Sequence, residues 1–125
     1  MIASQRPKFL DLTKIRLPVP GLVSILHRIS GAALFLFAGV LLYLFQESLA
    51  SPESYVRFRA IADHWPAKLF LIGMLWAFLH HFFAGLRYLL LDVDIGSELR
   101  ITRAMSWGVL GASLVMTVVL GVCLW

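Results

Sequence analysis

Three stretches of this sequence run without Asp, Glu, Lys or Arg for nearly the thickness of a bilayer, and they decide what the chain can become. Ile29 to Gln46 and Leu69 to Leu86 hold 18 residues each, and Ala104 to Trp125 holds 22. At 1.5 Å rise per residue, each approaches the ~30 Å hydrocarbon core once its less polar flanks are added. Backbone groups in lipid have no water to bond, so these stretches are helices and not buried strands. The expected spans are 22–46, 67–90 and 104–124, making an all-α integral membrane protein with three transmembrane helices in a larger helix bundle. Only 14% of the 125 residues are charged, against roughly 25% in a soluble domain, which excludes a water-facing globule. The first span is a retained anchor. It follows a long basic segment with two prolines, outruns the 7–15 apolar residues of a signal peptide, and has two more spans behind it.

The remaining sequence is read as short connections within one membrane-anchor domain over 1–125. Residues 1–21 form a basic tail, with Arg6, Lys8, Lys14 and Arg16 against Asp11. By the positive-inside rule that tail places the N-terminus in the cytoplasm and the C-terminus across the membrane. The net charge of +4 is accounted for at the membrane surface. No basic platform interleaved with aromatics lies outside the spans, so no nucleic-acid partner is expected. Ala50-Ser51-Pro52-Glu53 is a turn signal, and Tyr55, Phe58 and Ile61 fall at helical spacing for a short interfacial helix. Trp65-Pro66 reads as an anchor and helix start, Gly96 as a turn, and Trp107 and Trp125 as interfacial rings near opposite ends of the third span. Asp92 is placed to pair with an arginine at the rim. Cys123 is the single cysteine, so no disulfide forms within the chain.

Polar chemistry within the spans gathers in two clusters. In the first, Ser24, His27, Arg28 and Gly31 recur at three and four and share a helix face. In the second, His81 and Gly85 stack one turn apart, with Tyr88 continuing the stripe. His81 lies about ten positions from the end of its span, roughly 14 Å deep, too far to reach water. Three readings stand on chemistry alone: an axial ligand to haem iron, a hydrogen bond across a helix interface, or a place on a proton path. Gly85 would let a flat macrocycle pass close to the helix. His80, about 100° around the helix from His81, is expected at an interface between helices or subunits. His27 and Arg28 suit the carboxylates of a haem, or a phospholipid headgroup. Ser24 suits a quinone carbonyl, or a bond to its own backbone. The third span carries no charge. Its Gly108 and Ala112 hint at close helix packing.

These residues together resemble the cytochrome b556 family of succinate dehydrogenase membrane anchors, the larger anchor chain of the bacterial type. The likeness runs along nearly the whole chain: Arg6-Pro7, Leu10-Asp11-Leu12, Ile15-Arg16, the SILHRISG run from Ser24, Ser51-Pro52-Glu53, and an H-x-x-x-G-x-R motif from His81 to Arg87 followed by Asp92. The resemblance implies that His81 is an axial ligand of a haem b shared with a smaller anchor subunit, with Gly85 beside it and His27 and Arg28 at the propionates. It also implies a ubiquinone pocket formed by Ser24, Ile25 and Arg28. Further implications are docking to an iron–sulfur subunit and a flavoprotein subunit, and residence in a bacterial inner membrane. Where the family often has a second histidine after the motif arginine, this chain has Tyr88. The alternatives are a quinol:fumarate reductase anchor, or a structural anchor without haem.

Overall fold

The computed structural model describes residues 15–125. The expectations for Arg6, Lys8, Asp11, Lys14 and the other tail residues before Ile15 lie outside the described residues. Four helices follow in order: α1 (Val19–Ala50), α2 (Pro52–Asp63), α3 (Trp65–Asp92) and α4 (Leu99–Leu124). Three of them are long and apolar enough to cross a membrane. All three outrun the expected spans of 22–46, 67–90 and 104–124 at one or both ends. Charge is forbidden in hydrocarbon but not at its edges, so Glu47 and Asp92 sit within helical backbone that continues into the interface. Proline punctuates the starts: Pro20, Pro52 and Pro66 each occupy the first turn of a helix, where a missing N–H costs nothing.

The short connection expected after the first span is the interfacial helix α2. The Ser51 hydroxyl accepts from the Ser54 N–H at 3.1 Å, and the Ser54 hydroxyl accepts from the Ser51 N–H at 2.9 Å, a reciprocal capping box. Ser54 is buried, with its oxygen 2.7 Å from the Glu47 carbonyl, which ties α2 to the end of α1. The backbone N–H of Glu53 and the Ser51 hydroxyl also hold the Glu53 carboxyl below its ordinary range. That contribution is present above the unfolded value and lost as pH falls through the lowered one. Ser51→Ala is expected to cost about 1 kcal/mol of local helix stability. Hydrogen exchange at α2 amides should then rise about fivefold, the factor that such a loss implies. Unchanged exchange would mean that the cap does not hold the helix.

The bundle is apolar outside, and its interior mixes apolar side chains with small hydroxyls. α3 packs against both α1 and α4, which also touch each other. Val23, Ala84 and Val109 form the apolar centre, one from each long helix. Around them Ser30, Ser106, Ser113 and Thr117 are buried, and each hydroxyl donates to a carbonyl three or four residues back in its own helix. Phe35, Leu36 and Val122 are at least 74% exposed, as lipid-facing or subunit-facing side chains should be. Between α3 and α4 the chain reverses in a Schellman arrangement: the Ile95 N–H reaches the Leu90 carbonyl and the Asp94 N–H the Leu91 carbonyl. Asp94 (φ 63°) takes the left-handed conformation this requires, and Gly96 (φ 83°) makes a second left-handed turn two residues on. Lys68 lies 5.7 Å above the Trp125 ring, joining the start of α3 to the end of α4.

Candidate functional site

The two polar clusters of the sequence meet where α1 begins and α3 ends. The imidazoles of His27 and His81 are stacked at 4.1 Å between centroids with 8° between planes. His81 Nδ1 lies 3.0 Å from the His27 backbone carbonyl. Ser30 Oγ lies 2.9 Å from the same carbonyl oxygen and 3.4 Å from His81 Nδ1. A carbonyl only accepts, so His81 Nδ1 carries its proton and donates it there. In the tautomer that makes this bond, the ring lone pair is on Nε2. Metal-binding histidines are commonly held this way, with one ring N–H anchored on backbone and the other nitrogen left to coordinate.

Two glycines shape the surroundings of this ring. A methyl group placed on Gly31 would stand 2.8 Å from His81 Cε1 and 3.2 Å from Nδ1, so α1 accommodates the imidazole only because that position has no side chain. A methyl group on Gly85 would meet only His27 Nε2, at 3.9 Å, an ordinary contact. Space is thus left open beside His27 at Gly85 and filled by His81 at Gly31. Tyr88 completes the stripe, its ring edge-on to His27 at 5.2 Å and its hydroxyl buried without a hydrogen-bond partner.

The remaining site residues divide by exposure. Ser24 and His27 are half-buried, while Ile25 and Arg28 are exposed on the outer surface of α1. Arg28 forms no ion pair with a described residue, and neither does Asp92. His80 lies where helices pack, one of the two places expected for it: it is completely buried within this chain, stacked on Trp76 at 5.2 Å, and neither ring nitrogen has a hydrogen-bond partner. Its offset from His81 carries it onto the inner stripe of α3 with Ala77, Ala84 and Arg87, where the small alanines let the helices close over it. Sequence reasoning also missed the packing role of Gly31 and the buried hydroxyl of Ser30. The four-residue spacing of His27 and Gly31 was the available signal.

Among the described residues no three His, Cys, Asp or Glu side chains converge to hold a bare metal ion. A porphyrin brings four equatorial nitrogens of its own and needs one imidazole from this chain. The Nε2 of His81 would supply such a donor, and the Tyr88 hydroxyl, buried without a partner, would suit a carboxylate. The residues present fit a haem.

Comparison with known proteins agrees with this architecture. The family model described as "Succinate dehydrogenase/Fumarate reductase transmembrane subunit" matches residues 3–120. The chain belongs to this family. It is 37% identical over 124 residues to the succinate dehydrogenase cytochrome b556 subunit of Coxiella burnetii, covering 98% of each chain. It is 29% identical to the subunit of the same name from Paracoccus denitrificans, over 90% of this chain and 87% of that one. The Rickettsia felis protein of that name is 28% identical over 97% and 94% respectively. Membership in this transmembrane family agrees with the three long apolar helices and with the apolar outer surface of the bundle.

Proposed function

We propose that this chain is the cytochrome b membrane-anchor subunit of a succinate:ubiquinone oxidoreductase. The observation that carries the reading is the His81 ring, set between α1 and α3 with Nδ1–H fixed on the His27 carbonyl and Nε2 left to coordinate. The names of the similar proteins support it.

His81 Nε2 would hold the iron of a haem b that this chain shares with a smaller anchor subunit. The haem, when bound, supplies one-electron storage at this end of the bundle. His27 braces the face of the His81 ring, and Ser30 shares the carbonyl that orients it. Gly85 would leave the macrocycle room, and His27 and Arg28 would meet its propionates. On the outer surface of α1, Ser24, Ile25 and Arg28 form this chain's share of a ubiquinone pocket. Ser24 donates to a quinone carbonyl, Ile25 provides an apolar wall, and the Arg28 guanidinium stabilises negative charge that develops on the quinone oxygen as electrons arrive. Succinate is oxidised elsewhere, on the flavoprotein subunit, and iron–sulfur clusters bring the electrons. This chain docks those subunits at the end bearing its basic tail, with the N-terminus cytoplasmic and the C-terminus periplasmic in a bacterial inner membrane.

The test is a dithionite-reduced minus oxidised spectrum of the detergent-purified complex, together with succinate-driven ubiquinone reduction. A b-type band and reductase activity are expected. A fully assembled complex without that band would overturn the haem assignment. Arg28→Ala is expected to lower quinone reduction on the order of 10²-fold while succinate oxidation by a soluble dye and subunit content persist. Unchanged quinone kinetics would remove Arg28 from the pocket.

A further inference from the structure

Arg87 is a cation in an apolar place with no described counter-charge. It is 4% exposed, and its Nε is buried without a hydrogen-bond partner. Its contact with the Tyr88 ring, 5.4 Å from the guanidinium carbon to the centroid, is the aromatic one. The acidic residues that follow in the chain, Asp92, Asp94 and Glu98, are exposed, and none forms an ion pair with it. At this site the residue is almost wholly covered by protein, and a buried charge left uncompensated is strongly destabilising. Arg87 follows His81 by six residues, about 120° away around α3 when whole turns are removed. It therefore faces α4, away from the stripe of His81, Gly85 and Tyr88.

What it faces is a crevice of about 220 Å³ between α3 and α4, walled by Phe83, Leu86, Leu90, Met105 and Val109 and floored by Gly108. A side chain built on Gly108 would meet nothing within 4 Å, so the space beside α4 is open. We propose that this crevice holds a membrane phospholipid, its phosphate on the Arg87 guanidinium and part of an acyl chain against Phe83, Leu86 and Gly108. Three observations select a lipid. The single polar contact is cationic, and the walls are hydrocarbon. Arg87 also lies about 7 Å along the helix from the α3 terminus, at headgroup depth. Arg100 and Arg103 are exposed at the start of α4, at the same end of the bundle, and add to the field that attracts an anionic headgroup.

The experiment uses the whole complex with its partner subunits, reconstituted with a photoreactive phosphatidylglycerol, and compares wild type with Arg87→Leu, Arg87→Lys and Gly108→Leu. Wild type should crosslink within peptides spanning 83–109 and retain the phospholipid through detergent washing. Arg87→Leu should crosslink on the order of tenfold less, and Arg87→Lys should keep most of the signal. Gly108→Leu leaves the charge in place and fills the acyl space, so it should also lose the crosslink. It decides the matter if Arg87→Leu fails to assemble. Equal crosslinking in wild type and Gly108→Leu would overturn the proposal. Loss of the smaller anchor subunit from Arg87→Leu with an unchanged lipid count would also overturn it, because a carboxylate on a partner helix would then be the occupant. So would displacement of the crosslink by inorganic phosphate with no lipid retained in the washed complex.

Discussion

Replacing His81 with leucine is expected to abolish the b-type band of the assembled complex while leaving the helices of this chain in place. The substitution removes the Nε2 donor proposed to hold the haem iron. It leaves no acceptor stranded, because the Ser30 hydroxyl still donates to the His27 carbonyl that His81 Nδ1 had shared. Leucine is similar in bulk and is tolerated between membrane helices, so loss of a buried polar partner, which elsewhere costs about 1–3 kcal/mol, is largely avoided. The measurement is a reduced-minus-oxidised spectrum beside a subunit gel and far-ultraviolet circular dichroism. A full band in the variant would assign the ligand to a different residue. Loss of helicity together with the band would mean that the histidine is a structural tie.

The second large effect is expected at Gly31, and it separates ligand positioning from ligand space. In Gly31→Ala the new methyl, 2.8 Å from His81 Cε1, forces the ring to move against its stacking on His27 and its bond to the His27 carbonyl. Overpacking of this kind costs about 1–3 kcal/mol, and a disturbed supporting contact lowers metal affinity by roughly 10- to 100-fold. Haem content and the band position should both change. In Gly85→Ala the methyl meets only His27 Nε2 at 3.9 Å, so the chain itself has room for it. Any fall in haem occupancy there reports a macrocycle lying over that glycine. Normal haem in Gly31→Ala would show that the His81 orientation seen here is not the one that binds, and normal haem in Gly85→Ala would move the macrocycle elsewhere.

The number and placement of the membrane helices were legible because charge in hydrocarbon is so costly that a stretch of 18 residues without it marks a helix in lipid. Their ends were less so. At Glu47 and Asp92 the helix continues into the interface, where charge is no longer penalised and only backbone bonding decides. The Ser51 cap and the Pro52 start of α2 were readable, since both act through bonds a few residues apart. The meeting of His27 and His81 was suggested by two separate motifs, yet the bond from Nδ1 to a carbonyl 54 residues away is tertiary and leaves no trace in spacing. Burial of His80 and Arg87 was hidden for a related reason. Apolar residues lie on every side of α3 and its polar ones, His80, His81 and Arg87, are spread around it, so composition does not show which stripe turns toward α4, and Ala77 and Ala84 gain meaning only once the helices are packed.

The buried hydroxyls of α4 have a consequence for how this protein can change over generations. Ser106, Ser113 and Thr117 each return their proton to α4 itself, so no polar bond among the described residues fastens that helix to α1 or α3 through them. Exchange of any of them for alanine removes a donor without orphaning an acceptor on a neighbour. α4 is thereby held to its neighbours by fit at these three positions, with the Lys68 contact to the Trp125 ring at its end. Descendants of this chain can exchange these hydroxyls for other small groups, provided the volumes at 106, 113 and 117 survive, while the α1–α3 seam that grips the imidazole tolerates far less rewriting.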